Sequence, residues 1–264
     1  MIALRSGEST GQILRSCECD GVIVSMTRTA FSERTHDPHF HESAHLCLIV
    51  QGVDVERRSS RSYRRQAGDL HFYHAGESHA SEVRSTRVTS ALVELGAAFL
   101  SRHDLTEVHF ARAVHENSKA PFLMLQMQHE LHADDAHTPL GLQALALELV
   151  DYSRERYERP TPGWVRRVAQ LLDEHAHTPV GLVDIAARCG THPVTISRQF
   201  RRYFGCSLGE YRRRLMIRRS LPLISESALT LSTIAFTCGF ADQSHFIRAF
   251  RGSTSFRPGE YRQL

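Results

Sequence analysis

The sequence predicts an α+β chain of two domains, with the boundary near residue 160. Residues 1–159 are read as a small all-β body followed by a helical segment, and 160–264 as an all-α domain built from two helix-turn-helix units. Three observations carry this. A unit near the C-terminal end is repeated at an offset of 49–50 residues, the hydrophobic period changes from 2 to 3.6 after residue 95, and charge separates at the boundary. Residues 161–264 hold 15 Arg, no Lys and 7 Asp/Glu, a net +8. The first 160 residues carry −5, so the total of +3 conceals a basic half joined to an acidic one. That layout fits a nucleic-acid-binding domain with a separate partner domain.

The β part comes first. Val22–Met26, His45–Val50 and Val88–Leu95 are β-rich, and Gly52, Gly68 and Gly76 punctuate them, which suggests a sandwich or small barrel over about 15–95. Residues 97–158 then turn helical. Pro121–His132 and Leu140–Tyr157 have apolar residues at helical spacing, with Leu142, Leu145, Leu149 and Tyr152 on one stripe. These helices are expected to pack on the β body and support a homodimer. Arg159-Pro160-Thr161-Pro162-Gly163 ends the segment, and a further helix is predicted from Trp164 to about His175.

No run of about 18 apolar residues exists, and Met1–Asp20 has no signal-peptide core, so a cytoplasmic protein is expected. The six cysteines form neither a disulfide framework nor a zinc ribbon. Cys189 and Cys238 end equivalent helices and read as small core residues, whereas Cys17 and Cys19 read as surface thiols.

The repeat consists of Leu182–Gly190, a turn and Thr195–Arg201, then Leu231–Phe240, a turn and His245–Arg251. Each copy closes with Gly-Glu-Tyr-Arg, at 209–212 and 259–262. Ile185-Ala186 and Ile234-Ala235 give each first helix a buried face. Gly190 and Gly239 stand where the chain must turn at positive φ. Ile196 with Phe200, and Phe246 with Phe250, are i, i+4 anchors for each second helix. The face left exposed carries Val194, Thr195, Ser197 and Arg198 in the first copy, and Gln243, Ser244, His245, Ile247 and Arg248 in the second. Arg and Gln can clamp guanine and adenine edges, and Val or Ile can touch a thymine methyl. Arg201, Arg202 and Arg251 suit phosphates.

This region resembles the AraC/XylS family of bacterial transcription regulators. The resemblance rests on Ile234-Ala235, Gly239-Phe240, Asp242-Gln243-Ser244-His245-Phe246, Arg248, Phe250-Arg251, Pro258 and Tyr261-Arg262, and covers about residues 164–264. It implies seven helices, with a long connecting helix joining the two units. It also implies reading helices in successive major grooves and base contacts from Val194, Ser197, Arg198, Gln243, His245, Ile247 and Arg248. Double-stranded DNA, a small-molecule effector and RNA polymerase are the implied partners. The sequence departs from the family at Ser255, where a glycine is usual, and at Pro222, which is expected to kink or shorten the connecting helix Glu210–Ile224. Thr191 and Pro193 make the first turn unusual.

Thirteen of the 17 histidines precede residue 160, seven of them between His36 and His79. His39, His41, His45 and Gly52 resemble the first cupin motif, with His45 in place of the usual glutamate. Gly68, His74, Gly76 and His79 resemble the second, with His74 in a proline position. The N-terminal domain is therefore read as a cupin-like barrel that holds an effector. His39, His41 and His45 share strand parity, and His79 is expected from a facing strand, so four imidazoles could converge on an effector or on Zn, Ni, Fe or Cu. The resemblance demands no cofactor, and a divalent metal is the one that the residues admit. The main reading is a non-enzymatic regulator. The alternatives are a cupin metalloenzyme or metal sensor fused to a DNA-binding module, and a barrel that binds another protein.

Overall fold

The computed structural model describes residues 2–31, 37–116, 119–157, 162–175 and 180–264. His36 and the predicted Arg159–Thr161 boundary lie outside them, as does the side chain of Tyr152.

Among the described residues, ten strands form the first part: β1 (Ile2–Leu4), β2 (Gln12–Cys19), β3 (Val22–Ala30), β4 (His39–His41), β5 (Ala44–Gln51), β6 (Val53–Arg58), β7 (Arg61–Gln66), β8 (Leu70–Tyr73), β9 (His79–Val83) and β10 (Arg87–Leu95). They make two five-stranded sheets, in the orders β1-β4-β9-β6-β7 and β2-β3-β10-β5-β8. The centre of the second sheet, β3-β10-β5, is long and apolar. Val24, Leu46, Leu48, Val50 and Val93 are fully buried, each contributing roughly 1.5–3 kcal/mol. Gly52 takes φ 88° at the β5–β6 corner, where a Cβ would strike the Arg87 carbonyl. Cys19 is buried against the core and Cys17 half-buried, so neither is the surface thiol expected. Pairing of β2 with β3 turns that face inward.

Four helices follow: α1 (Ala97–Arg102), α2 (Glu107–Glu116), α3 (Ala120–Ala133) and α4 (Thr138–Tyr157). The helix α3 is buried along most of its length. It lies on β3 and β10 on one side and meets the C-terminal helices on the other.

The C-terminal part is α5 (Gly163–Glu174), α6 (Leu182–Cys189), α7 (Pro193–Phe204), α8 (Leu208–Glu226), α9 (Leu231–Thr237), α10 (Gln243–Thr254) and α11 (Pro258–Tyr261). Among the described residues these are seven helices, the number that the resemblance implies. The connecting helix α8 runs for 19 residues and passes through Pro222 without ending. Proline removes the N–H that the Arg218 carbonyl would otherwise receive. That carbonyl faces Gly68 at the β7–β8 turn, where even a Cβ would come within 3.4 Å of it. Packing of Leu221 and Ile224 holds the last turns, so the expected shortening does not occur.

Among the described residues, two of the three apolar cores reach the C-terminal helices. One gathers α5, α6, α7 and the start of α8 around Val168, Ile185, Ile196, Phe200 and Leu215. The other is continuous from the sheets through α3 into Ile217, Leu221 and Ile224 of α8, Ile234 of α9, Phe246 and Phe250 of α10, and Tyr261. The second helix pair therefore shares its core with the N-terminal domain, and the first pair has its own.

Candidate nucleic-acid interface and histidine cluster

The helices α7 and α10 are built the same way. In α7, Ile196, Phe200 and Phe204 are buried, and Val194, Thr195, Ser197, Arg198, Arg201 and Arg202 face outward. In α10, Phe246, Phe250 and Thr254 are buried. Gln243, Ser244, Arg248 and Arg251 are exposed, and His245 and Ile247 are half-buried. The apolar anchors thus fix which side of each helix reaches solvent. The capping residues fix where each begins. His192 Nδ1 accepts from Val194 N at 3.2 Å, with Pro193 at the first helical position where its missing N–H costs nothing. Asp242 Oδ1 accepts from His245 N at 2.7 Å. Sequence reasoning passed over both caps, although the Asp and Pro beside the helix starts were the available signal.

The turns behave as the repeat predicts. Gly190 and Gly239 take φ 62° and 91°. Ser255 caps α10 in the left-handed region at φ 66°, where Gly205 caps α7 at 69°.

The second site lies between the two sheets. Ring nitrogens of His39, His41 and His79 all lie within 4.8 Å of one another, and all three residues are buried. His39 and His79 are register partners on β4 and β9 of the same sheet, their ring centroids 4.3 Å apart. His45 belongs to β5 in the opposite sheet, because the chain bends at Glu42–Ser43. The expected roles of His45 and His79 are thus exchanged: His79 is the neighbour and His45 the facing residue. His45 stands outside the trio, 4.1 Å from the His41 ring and stacked at 4.5 Å on Tyr73. His74 is exposed and pairs with Glu107 at 2.7 Å.

The tautomers are set by the backbone. The Nδ1 atoms of His39 and His79 bond to the carbonyls of Asp37 (2.9 Å) and Glu77 (3.1 Å), and that of His45 reaches Ser43 O at 3.5 Å. A proton on Nδ1 leaves Nε2 as the basic nitrogen. Burial, reinforced by the neighbouring imidazoles, lowers His41 to about 4 and His79 to about 3. His39 is lowered chiefly by burial, and His45 is held well below its ordinary value by burial, His41 and His79. The cluster is therefore neutral at physiological pH.

Behind it lies a buried ionic network that sequence reasoning missed. Arg65 Nε donates to Asp54 Oδ1 at 2.8 Å, and its guanidinium also meets Glu56 and Tyr73 Oη. Tyr73 donates to Glu56, and Arg58 bonds Glu56 while lying 3.9 Å over the Tyr73 ring. Burial pushes the Glu56 carboxyl up, but Arg65, Arg58 and Tyr73 together outweigh it and hold Glu56 below the usual range. On β6 the acids Asp54 and Glu56 are buried, while Val53 and Val55 are half-buried. Alternating charges on a strand ordinarily mark the solvent face, so no sequence signal pointed inward.

Residues 185–264 match the family model described as a helix-turn-helix domain. The transcriptional activator RhaR of Klebsiella pneumoniae is 23% identical over 243 residues, covering 85% of this chain and 86% of that protein. The activator RhaS of Escherichia fergusonii is 23% identical over 250 residues, covering 89% and 88%. A solved AraC-type regulator from Chromobacterium violaceum is similar at 24% identity and TM-score 0.36, over 38% of this chain and 89% of that one. Among the described residues no helix is long and apolar enough to cross a membrane.

Proposed function

We propose that this chain is a sequence-specific DNA-binding transcription regulator, with residues 1–159 as sensor and 160–264 as reader. Two helix-turn-helix units, α6–α7 and α9–α10, present their polar faces to successive major grooves. Val194, Ser197 and Arg198 read one half-site, and Gln243, His245, Ile247 and Arg248 read a different one. Arg201 and Arg251 bind flanking phosphates. The N-terminal sheets form a cupin-like barrel that senses an effector, α4 supports a homodimer, and RNA polymerase is the downstream partner in the cytoplasm. The relatives, named as activators, favour positive control and a non-enzymatic role.

One observation carries the reading: in both α7 and α10 a polar, basic face is exposed directly opposite a buried aromatic stripe. Selection from a random duplex pool should return an asymmetric sequence whose halves lie about one helical turn apart. Binding with no sequence preference would defeat the proposal.

A further inference from the structure

We propose that the effector of the N-terminal domain is a divalent transition-metal ion of the zinc, nickel or cobalt class, held by His39, His41 and His79. This rests on the reading of that domain as a sensor, and it names what is sensed.

The donor set comes first. Three imidazoles bound to one ion at about 2.0–2.1 Å would bring their nitrogens about 3–3.4 Å apart. The trio lies within 4.8 Å, so small side-chain rotations close the site. Three neutral imidazoles suit borderline metals, whereas magnesium and calcium require oxygen donors. The carbonyls of Asp37 and Glu77 supply the outer support that metal-bound histidines ordinarily have, orienting the rings and keeping Nε2 basic. His41 Nδ1 is buried with no hydrogen-bond partner, an arrangement that costs free energy in the ion-free protein.

Space decides between an ion and an organic effector. The cavity lined by the trio, His45, Tyr73, Asp54, Glu56 and Arg65 has a volume of about 60 Å³. Holding one water takes roughly 10–15 Å³ of such space, so the cavity accepts an ion with a few small ligands. Sites for sugars or aromatic acids measure roughly 300 Å³ or more. The remaining interior is filled by the Arg65–Asp54–Glu56–Tyr73 network.

The site is connected to the reading domain. His41 packs against His45 at the start of β5. At the other end of the same strand, the Val50 carbonyl accepts from Tyr261 Oη, and Gly52 N donates to Glu226 at 2.7 Å. An ion that fixes His41 therefore acts on a strand whose far end holds the second helix-turn-helix unit.

The test uses the full chain, purified without an affinity tag and stripped with a chelator. Titration with zinc, nickel and cobalt chlorides by calorimetry should show one ion per chain, and cobalt should give the visible absorption of a nitrogen-ligated site. His39→Gln and His79→Ala should each weaken binding at least tenfold while circular dichroism stays native. If either variant unfolds, His41→Gln serves in its place. On the selected duplex, the ion should change affinity at least tenfold in the native chain and not in the variants. Substoichiometric or histidine-independent binding overturns the site. Stoichiometric binding with unchanged DNA affinity overturns the ion as signal. Failure to bind DNA at all would strike the regulator reading, while the metal titration would still decide the site.

Discussion

Gln51 donates its side-chain amide to the main-chain carbonyl of Tyr261, 2.8 Å away and 210 residues later in the chain. Tyr261 returns the contact, its hydroxyl donating to Val50 O. Both residues are buried. Polar groups enclosed this way are costly to leave unmatched, so the pair fixes how α11 sits on β5.

Tyr261→Phe keeps the ring and removes that donor from the Val50 carbonyl. The expected loss is about 1–3 kcal/mol of stability, read by urea denaturation. A change within about 0.3 kcal/mol would mean that the contact does not hold the two parts together.

Arg248 is exposed on α10 and is proposed above as a base reader. Arg248→Ala should weaken specific binding by about 1–3 kcal/mol and relax the preference at one base position. Repeating the duplex selection with the variant checks this, and an unchanged motif and affinity would remove Arg248 from the base readers.

Asp242 accepts from His245 N at the start of the same helix. Asp242→Ala should cost about 1 kcal/mol, and Asp242→Ser considerably less, because serine also caps. Thermal melts of the two variants side by side separate loss of the cap from loss of charge.

Ser255 holds a left-handed backbone conformation that disfavours side chains. Ser255→Gly should stabilise the chain by up to about 1 kcal/mol, less what glycine adds to the freedom of the unfolded state. A lowered melting temperature would show that the serine hydroxyl contributes more than the backbone loses.

Glu56→Gln leaves Arg65 and Arg58 short of a carboxylate in a closed space, at a cost of about 3–5 kcal/mol. The Glu56 carboxyl is held below its ordinary value of 4.5 in the folded chain. Its contribution is therefore present above that value and is lost as pH falls through the folded one. Equilibrium unfolding at a series of pH values should show an acid limb in the native chain that is shallower in the variant.

The helical domain was largely legible because its signals are local. The i, i+4 anchors Ile196–Phe200 and Phe246–Phe250, the glycines at 190 and 239, and the substitution at Ser255 each act within one or two turns. The histidine site was legible by residue but not by arrangement. Parity placed His45 beside His39 and His41 as though one strand ran through, and the bend at Glu42–Ser43 sends it to the other sheet. The charged interior of β6 was invisible for a different reason. Asp54 and Glu56 are compensated by Arg65 and Arg58, and such pairing exists only once the strands are assembled. Pro222 misled because the breaking tendency of a residue is judged locally, while Leu221 and Ile224 are held by a distant core.

The shared core has a consequence for cutting the chain. Severed near residue 160, the second part would keep a well-formed first helix pair on its own apolar cluster. Its other half would expose Leu221, which rests on Gly68, and Tyr261, which rests on Val50. A fragment expressed from that point should be sticky and sparingly soluble, and α10 should fray before α7. A shortened chain meant to keep the second helix pair folded should therefore retain α3 and the sheets.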